Sequence, residues 1–323
     1  MTAHLGLGMA ALGRPGYVTL NHANALGGNY DPPAMAAHAR EVLDAAYDAG
    51  IRYFDMARSY GRAEEFFASW VAQRRIEPGD VVVASKWGYT YTAGWKTSAE
   101  RHEIKDHSLS TFSRQIAESL EQLDGYLSRY QIHSVTAESE TLDDDSLIDA
   151  MARLKEKGIR AGITTSGPGQ AVAIRKCIEV CRDGERVFDS VQSTWNLLER
   201  SAEPALSEAH DAGMTVVIKE ALANGRLTQI NVEEQSPLSS VIGPLRTIAR
   251  NHAAELETMA LAIALERPWA TVVLSGAATV DQLISNARAR DFHCDDEVEH
   301  EMLTAVTLKP ADYWNARSGF TWN

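Results

Sequence analysis

The chain has 323 residues, of which 45% are hydrophobic and 23% charged. This composition suits one large α/β barrel or two smaller domains with a sizeable core. The formal net charge is −13 and the pI is about 5.2. The charge argues against nucleic acid or a membrane surface as the main partner, because both require a basic patch. It does not exclude an anionic cofactor, since local fields decide the binding of small ions.

The cysteine content indicates the compartment. Cys177, Cys181 and Cys294 are too few for a disulfide framework, so we expect a reduced, cytoplasmic location. The N-terminal segment lacks the basic region and apolar region of a secretory signal. No apolar run approaches the ~20 residues that a membrane span requires.

Short apolar runs alternate with longer amphipathic segments along the whole chain. The predicted strands are 5–9, 51–55, 81–85, 127–132, 160–164, 187–192, 214–218 and 271–275. The predicted helices are 34–49, 62–74, 109–124, 145–157, 169–182, 202–212, 241–265 and 279–289. Eight strand–helix repeats favour a closed (β/α)8 TIM barrel over an open sheet. No linker divides the chain, so residues 1–323 are predicted to form a single barrel domain.

Three predicted connections are too long to be simple turns. They span 10–33, 87–108 and 219–240, and each follows a strand. A barrel would place all three at its C-terminal face, where binding loops are common. A C-terminal extension, 292–323, ends in a segment rich in aromatic residues. We expect it to pack over the barrel mouth or against a neighbouring chain, because a disordered tail would rarely contain so many aromatic residues.

Three consecutive predicted strands end on residues that can carry acid–base chemistry. These are Asp55, Lys86 and His133, and Tyr60 follows Asp55 by five residues. Each alone is an ordinary strand-end residue, but a parallel barrel brings them together on one face. A nearby ammonium group would lower the tyrosine pKa from its ordinary value of about 10, and a neutral histidine could orient a carbonyl. The set suits protonation of a carbonyl oxygen while a hydride arrives at carbon.

The aromatic residues in these loops suggest a wall for a substrate. Trp87 opens a dense aromatic cluster in the 87–108 loop. Tyr313 and Trp314 begin the aromatic part of the C-terminal extension. We predict that these three residues bind substrate.

A possible metal motif fails on spacing. His102 and His107 surround a glutamate, as in zinc-protease helices, but they are five residues apart instead of four. Two histidines at this spacing would not share a helix face. We therefore predict no metal site.

The motifs as a group resemble those of the aldo-keto reductase superfamily. The matching segments, which occur in the family's order and spacing over nearly the whole chain, are 50–61, 84–88, 130–134, 162–165 and 272–286. The resemblance implies a (β/α)8 barrel with a nicotinamide cofactor, NADP or NAD, bound across its mouth. It also implies a catalytic tetrad of Asp55, Tyr60, Lys86 and His133, with Tyr60 as the general acid when a carbonyl is reduced.

The resemblance also implies a set of cofactor contacts. They are Thr164, Thr165, Gln192, Lys219, Leu222, Gly225, Gly276, Gln282 and Asn286. Lys219 takes the place of an aromatic residue that usually stacks on the nicotinamide. Glu220 then falls near the pyrophosphate, so we expect an ion pair with Lys219 or Arg226 to hold it away. The preference between NAD and NADP stays open, because Ala278-Thr279 replaces the usual 2′-phosphate contact and only Arg288 and Arg290 remain as basic candidates.

The combined hypothesis is an oxidoreductase that transfers a hydride between NAD(P)H and a small carbonyl or sugar-like alcohol. Its partner would be a small-molecule carbonyl or polyol, and the chain could form a homo-oligomer. One alternative is a non-redox lyase or epimerase on the same barrel, because fold does not fix function. Another is a nucleotide-binding regulatory subunit with slow turnover.

Overall fold

Eight short runs form parallel strands that close into a barrel. The computed structural model describes residues 3–20, 22–229, 237–306 and 308–322. The barrel strands are β1 (His4–Gly8), β2 (Tyr53–Asp55), β3 (Val82–Trp87), β4 (Leu127–Val135), β5 (Arg160–Thr165), β6 (Ser190–Thr194), β7 (Thr215–Lys219) and β8 (Val272–Ser275). Each strand pairs with its sequence neighbours, and β1 closes the ring by pairing with β8. The predicted TIM barrel is therefore confirmed.

Twelve α-helices occur within the described ranges. They are α1 (His22–Ala25), α2 (Pro32–Asp48), α3 (Ala63–Arg74), α4 (Leu109–Gln122), α5 (Asp145–Ala152), α6 (Gln170–Glu179), α7 (Glu203–Asp211), α8 (Pro237–Asn251), α9 (Leu256–Leu265), α10 (Val280–Ala287), α11 (Asp296–Ala305) and α12 (Pro310–Ser318). The predicted helix 241–265 is in fact two helices. The break lies where Ala253 adopts a left-handed φ of 51°, which an α-helix cannot contain.

The barrel interior is filled by side chains and is not a pore. Val272 and Leu274 of β8 meet Tyr53 of β2 inside the barrel. A Cβ atom on Gly6 would lie 2.9 Å from the side chains of both β8 residues, so only glycine fits at that point of β1. The helices cover the outer face of the strands with a larger apolar layer. This closed packing leaves the strand ends as the places where functional groups can be reached.

The long connections lie at the C-terminal ends of the strands, as predicted. The first contains α1, and the second contains an antiparallel hairpin of Tyr89–Tyr91 with Glu103–Lys105. The third contains a short 3₁₀ turn, Ala223–Gly225, and part of it, 230–236, lies outside the described residues.

The C-terminal extension packs over the barrel mouth, which confirms the first of the two predicted positions. Phe320 and Trp322 line the cavity there. The extension is more helical than its composition suggested, because α11 and α12 cover most of it. Among the described helices, none combines the length and apolar character needed to cross a membrane.

Candidate active site

The floor of the barrel mouth is an ion pair between two buried residues. Lys86, on β3, pairs with the carboxylate of Asp55, on the adjacent strand β2. The lysine Nζ also donates to the Met56 carbonyl at 2.9 Å and lies 4.8 Å from the centre of the Tyr60 ring. Gln192 Nε2 donates to the same aspartate at 2.8 Å. These contacts fix the lysine directly beneath the tyrosine.

His133 completes the group from β4. Its ring lies edge-on to the Tyr60 ring, with 5.6 Å between the centroids. Burial, together with the charges of Lys86 and Lys219, holds the pKa of His133 well below its ordinary value, so its imidazole is neutral at pH 7. The buried Nδ1 atom has no hydrogen-bond partner among the residues described. The structure thus brings all four predicted tetrad residues together.

The protonation state of Tyr60 differs from the sequence-based expectation. We expected the ammonium group of Lys86 to lower the tyrosine pKa. Burial instead raises the pKa of Tyr60 well above 10, and the nearby carboxylate of Asp55 adds to this rise. The physical reason is that a phenolate at this depth loses hydration that the lysine, already paired with Asp55, does not replace. Tyr60 is therefore a neutral phenol at pH 7.

A buried arginine lies above this group, and sequence reasoning did not identify it. Arg14 Nη1 donates to the Ser59 carbonyl at 2.8 Å and to Glu103 at 2.9 Å. Its guanidinium carbon lies 5.0 Å from the centre of the Tyr60 ring and 4.6 Å from that of Trp322. Arg14 sits in a loop without periodicity, so no local pattern marked it. Its position joins the first two long loops to the C-terminal extension.

A cavity of about 540 Å³ opens over these residues. Most of the predicted cofactor residues line it, namely Gln192, Lys219, Leu222, Gly225, Gly276, Gln282 and Asn286. Thr164 and Thr165 do not. The Thr164 hydroxyl accepts a hydrogen bond from the Ser134 amide at 2.7 Å, and the Thr165 hydroxyl donates to Ser193 at 2.7 Å. Both threonines are buried and support the cavity wall from behind.

The segment after β8 has a shape that fits a nucleotide. A Cβ on Gly276 would meet nothing within 4 Å, so the backbone there is open to close approach. Gln282 accepts from the Ala278 amide at 2.8 Å, and Asn286 donates to Ser275 at 2.9 Å. These two bonds tie α10 to the end of β8. The open backbone at Gly276 and the unpartnered nitrogen of His133 leave space and a polar group for a ligand in this cavity, which is consistent with a dinucleotide.

Glu220 is paired, but with a partner that was not predicted. Arg317 of α12 donates to its carboxylate from Nε at 2.9 Å and from Nη2 at 2.5 Å. This pairing outweighs burial and lowers the pKa of Glu220 to about 2. The predicted partner Arg226 instead donates to the Ala223 carbonyl at 2.8 Å and lies over the Tyr313 ring at 4.1 Å. The predicted pairing with Lys219 or Arg226 was wrong because α12 folds back over the mouth, which local sequence does not reveal.

Lys219 lines the cavity next to this pair. Burial lowers its pKa to about 8, although the carboxylate of Glu220 opposes the shift. Over the parts of the chain that the structure describes, the side-chain amine of Lys219 has no hydrogen bond and no ion pair within 4 Å. Its amine therefore titrates close to neutral pH inside the cavity.

The structure does not support the predicted substrate contacts. Trp87 is buried against Phe112, because side chains alternate along β3 and Lys86 already points inward. The Tyr313 hydroxyl accepts from Asn196 at 3.0 Å, and Trp314 packs edge-on to Tyr313. None of the three lines the cavity. The aromatic residues that do are Tyr17, Tyr60, Tyr89, Phe320 and Trp322.

Two further sequence candidates lie away from this centre. Arg290 donates to the Ala49 carbonyl at 2.7 Å and lines a cavity at the opposite end of the barrel, and Arg288 is exposed. Neither lines the mouth. The described ranges contain no group of three or more side chains suited to hold a metal ion.

The closed barrel and the Tyr–Lys–Asp–His group at its mouth define a (β/α)8-barrel enzyme with its candidate active site at the C-terminal face. A sequence model of the Aldo/keto reductase family matches residues 5–306. The chain belongs to this family, whose enzymes are oxidoreductases that use a nicotinamide cofactor.

Individual relatives agree with this assignment. The chain is 26% identical over 288 residues to "Uncharacterized oxidoreductase YqkF" of Bacillus subtilis, covering 83% of this chain and 87% of that protein. It is 24% identical over 313 residues to L-glyceraldehyde 3-phosphate reductase of Escherichia coli, covering 88% and 85%. The solved holo form of aldo-keto reductase AKR11C1 from Bacillus halodurans superposes with a TM-score of 0.71 at 21% identity, covering 96% and 95%.

Proposed function

We propose that this enzyme reduces a small carbonyl compound with NADH or NADPH, using Tyr60 as the proton donor. The observation that carries the proposal is the neutral phenol of Tyr60 in the mouth cavity, above the Lys86–Asp55 ion pair and beside the neutral His133. A general acid must hold its proton before the reaction, and burial keeps this proton in place.

Each residue of the group then has a role in the reaction. A bound nicotinamide would supply the hydride to the carbonyl carbon. Tyr60 would donate its hydroxyl proton to the carbonyl oxygen, and the Lys86 ammonium would stabilise the phenolate that forms. His133 would donate a hydrogen bond that orients the same oxygen. Asp55 would hold Lys86 in position, and solvent would return the proton to Tyr60.

The cofactor would lie along the cavity from the tetrad to α10. Gln192 and Lys219 would face the nicotinamide end, while Leu222 and Gly225 would cover the pyrophosphate. Gly276, Gln282 and Asn286 would hold the adenosine end, where the open backbone at Gly276 permits close approach. Thr164 and Thr165 would act by positioning, since they lie behind the wall.

The experiment that tests the proposal is a fluorescence titration of purified protein with NADH and NADPH, followed by assays with short aldehydes and hydroxyaldehydes. We expect saturable binding of at least one cofactor and carbonyl-dependent oxidation of it. The ratio of the two dissociation constants decides the preference for NAD or NADP. Absence of binding to both cofactors would contradict the proposal.

One observation favours a second candidate, a lyase or epimerase without redox turnover. Lys219 lines the cavity with a pKa of about 8 and has no ion pair with any residue in the described ranges, which suits a Schiff-base amine. Trapping with borohydride in the presence of an aldehyde distinguishes the two. A stable adduct on Lys219 that forms at the rate of substrate turnover would support the lyase or epimerase. Absence of such an adduct would favour the reductase.

A further inference from the structure

A second cavity, of about 600 Å³, opens at the opposite end of the barrel, where the strands begin. The first residues of several strands line it, among them His4, Tyr53, Val82 and Thr215, and so does Arg129 near the start of β4. The mouth and its tetrad lie at the other ends of the same strands. This second cavity is therefore separate from the candidate active site.

Two arginines stand side by side at this end of the barrel. Arg129 of β4 and Arg160 of β5 are direct register partners, so their side chains project from the same face of the sheet. Neither forms an ion pair with any residue that the structure describes. Arg129 is half-buried, and burial lowers its pKa most. Arg160 lowers this pKa further, while Tyr53 and the carboxylate of Asp189 act in the opposite direction. Two adjacent cations without a carboxylate in direct contact repel each other, and an anion bound between them would relieve this repulsion.

Two buried polar atoms in the cavity wall also lack partners. Arg129 Nη1 and the hydroxyl of Tyr53 have no hydrogen bond within the described part of the chain. Tyr53 is only 6% exposed. Buried donors of this kind are normally satisfied, because leaving one unpaired costs free energy. Both groups are hydrogen-bond donors at neutral pH, and both suit an oxygen acceptor.

The remaining charges around the cavity neutralise the arginines only in part, because Asp189 acts on Arg129 without forming an ion pair within 4 Å. Arg52 and Arg290 line it as well, and each donates to a backbone carbonyl at 2.7 Å and not to a carboxylate. The one carboxylate in the described lining, Glu266, accepts a hydrogen bond from His293 at 2.6 Å. The cavity is thus a positive site in a chain whose net charge is −13.

We propose that this cavity binds a small oxyanion, held by Arg129 and Tyr53, with Arg160 beside Arg129 on the neighbouring strand. Phosphate and carboxylate share the required chemistry, because both present oxygen acceptors that match a guanidinium and a hydroxyl. The apolar walls, which include Leu5 and Val272, leave room for a short organic body attached to the anionic group. This site is independent of the proposed reductase activity.

The test is calorimetric titration of the full chain with inorganic phosphate and, separately, with acetate and butyrate. Arg129→Gln and Tyr53→Phe remove one donor each, and Arg40→Gln removes an exposed charge on α2 as the matched control. We expect the wild type and Arg40→Gln to bind the same anion at one site. We expect each cavity variant to weaken that binding at least about tenfold, the effect of losing a hydrogen bond to a charged group.

The relative affinities for the three anions identify the class of ligand. Tighter phosphate binding indicates a phosphate ligand, and tighter butyrate binding indicates an organic acid. Equal anion affinity in the wild type and both cavity variants would overturn the proposal, as would no binding at tens of millimolar of any of the three. If Arg129→Gln does not fold, Tyr53→Phe still decides, because it keeps the ring. Selenate soaked into crystals locates the bound anion by its anomalous scattering. This shows whether the anion binds in the second cavity or in the mouth cavity.

Discussion

The guanidinium of Arg317 binds the carboxylate of Glu220 through two nitrogens, at 2.9 and 2.5 Å. The contact joins α12, near the C-terminus, to the residue that follows β7. Glu220 holds a left-handed φ of 55° there, a conformation that costs free energy in a non-glycine residue. The ion pair therefore fixes both the C-terminal helix and the turn that begins the proposed cofactor loop.

The first prediction concerns this ion pair. Arg317→Gln leaves the buried carboxylate of Glu220 without its cation. We expect unfolding free energy to fall by about 2–3 kcal/mol, less than the ~3–5 kcal/mol of a fully buried pair because Arg317 is partly exposed. The double variant Glu220→Gln with Arg317→Gln should recover part of the loss, since no buried charge is then unpaired. Equal stability of the wild type and Arg317→Gln would show that the contact is not energetically important.

The same pair predicts a pH dependence. The folded pKa of Glu220 is lowered to about 2 from an ordinary 4.5, so its stabilising contribution is present above about 4.5 and is lost as pH falls toward 2. Chemical denaturation of the wild type should show this loss between those two values. Glu220→Gln should lose less stability over the same interval. An identical acid dependence in both proteins would contradict the lowered pKa.

The second prediction concerns proton donation. Tyr60→Phe should reduce kcat by ~10²–10⁴-fold while cofactor affinity stays within a few-fold, because only the hydroxyl is removed. Tyr89→Phe is the matched control, since Tyr89 lines the same cavity and lies edge-on to His133 at 5.0 Å. We expect a much smaller loss there. Steady-state kinetics together with cofactor titration measures both quantities, and near-native kcat in Tyr60→Phe would rule out the assignment.

The third prediction concerns the lysine in the cavity. Because the pKa of Lys219 is about 8, its charge disappears as pH rises through that value. A neutral amine attracts an anionic dinucleotide less, so cofactor affinity should weaken across this interval. Lys219→Arg should keep affinity constant there, and Lys219→Met should bind weakly at all pH values. The measurement compares cofactor affinity at about pH 7 and about pH 9, roughly one unit below and above the pKa of Lys219. A wild-type affinity that is the same at both pH values would contradict this charge effect.

The fourth prediction separates two tryptophans of the C-terminal extension. Trp314 is buried, so Trp314→Ala should cost about 3–5 kcal/mol of unfolding free energy. Trp322 lines the cavity and stacks on His102 with 4.1 Å between ring centroids, so Trp322→Ala should change KM or substrate choice with a small shift in Tm. Thermal melts and kinetics on both variants provide the check. The reverse pattern would mean that Trp322 is structural and Trp314 contacts substrate.

The sequence alone predicted the barrel and the four residues of the tetrad. Both follow from local patterns in the sequence. Each apolar run indicates a strand, and the C-terminal ends of all strands lie at the same face of a parallel barrel. Asp55, Lys86 and His133 could be placed together without coordinates because parallel strands must converge at one face. The proposed cofactor residues were named from the resemblance to the aldo-keto reductase family, and most of them line the mouth cavity.

Tertiary packing decided what depends on chain segments far apart in the sequence. Arg317 meets Glu220 across a separation of 97 residues, and Arg14 meets Glu103 across 89. No periodicity encodes such distances. Whether Trp87 faces the barrel mouth or the surrounding helices depends on the register of β3. A shift of one residue would exchange the inward and outward positions of that strand. The neutral state of Tyr60 also required the structure, because pKa depends on burial depth, which residue types and spacing do not specify.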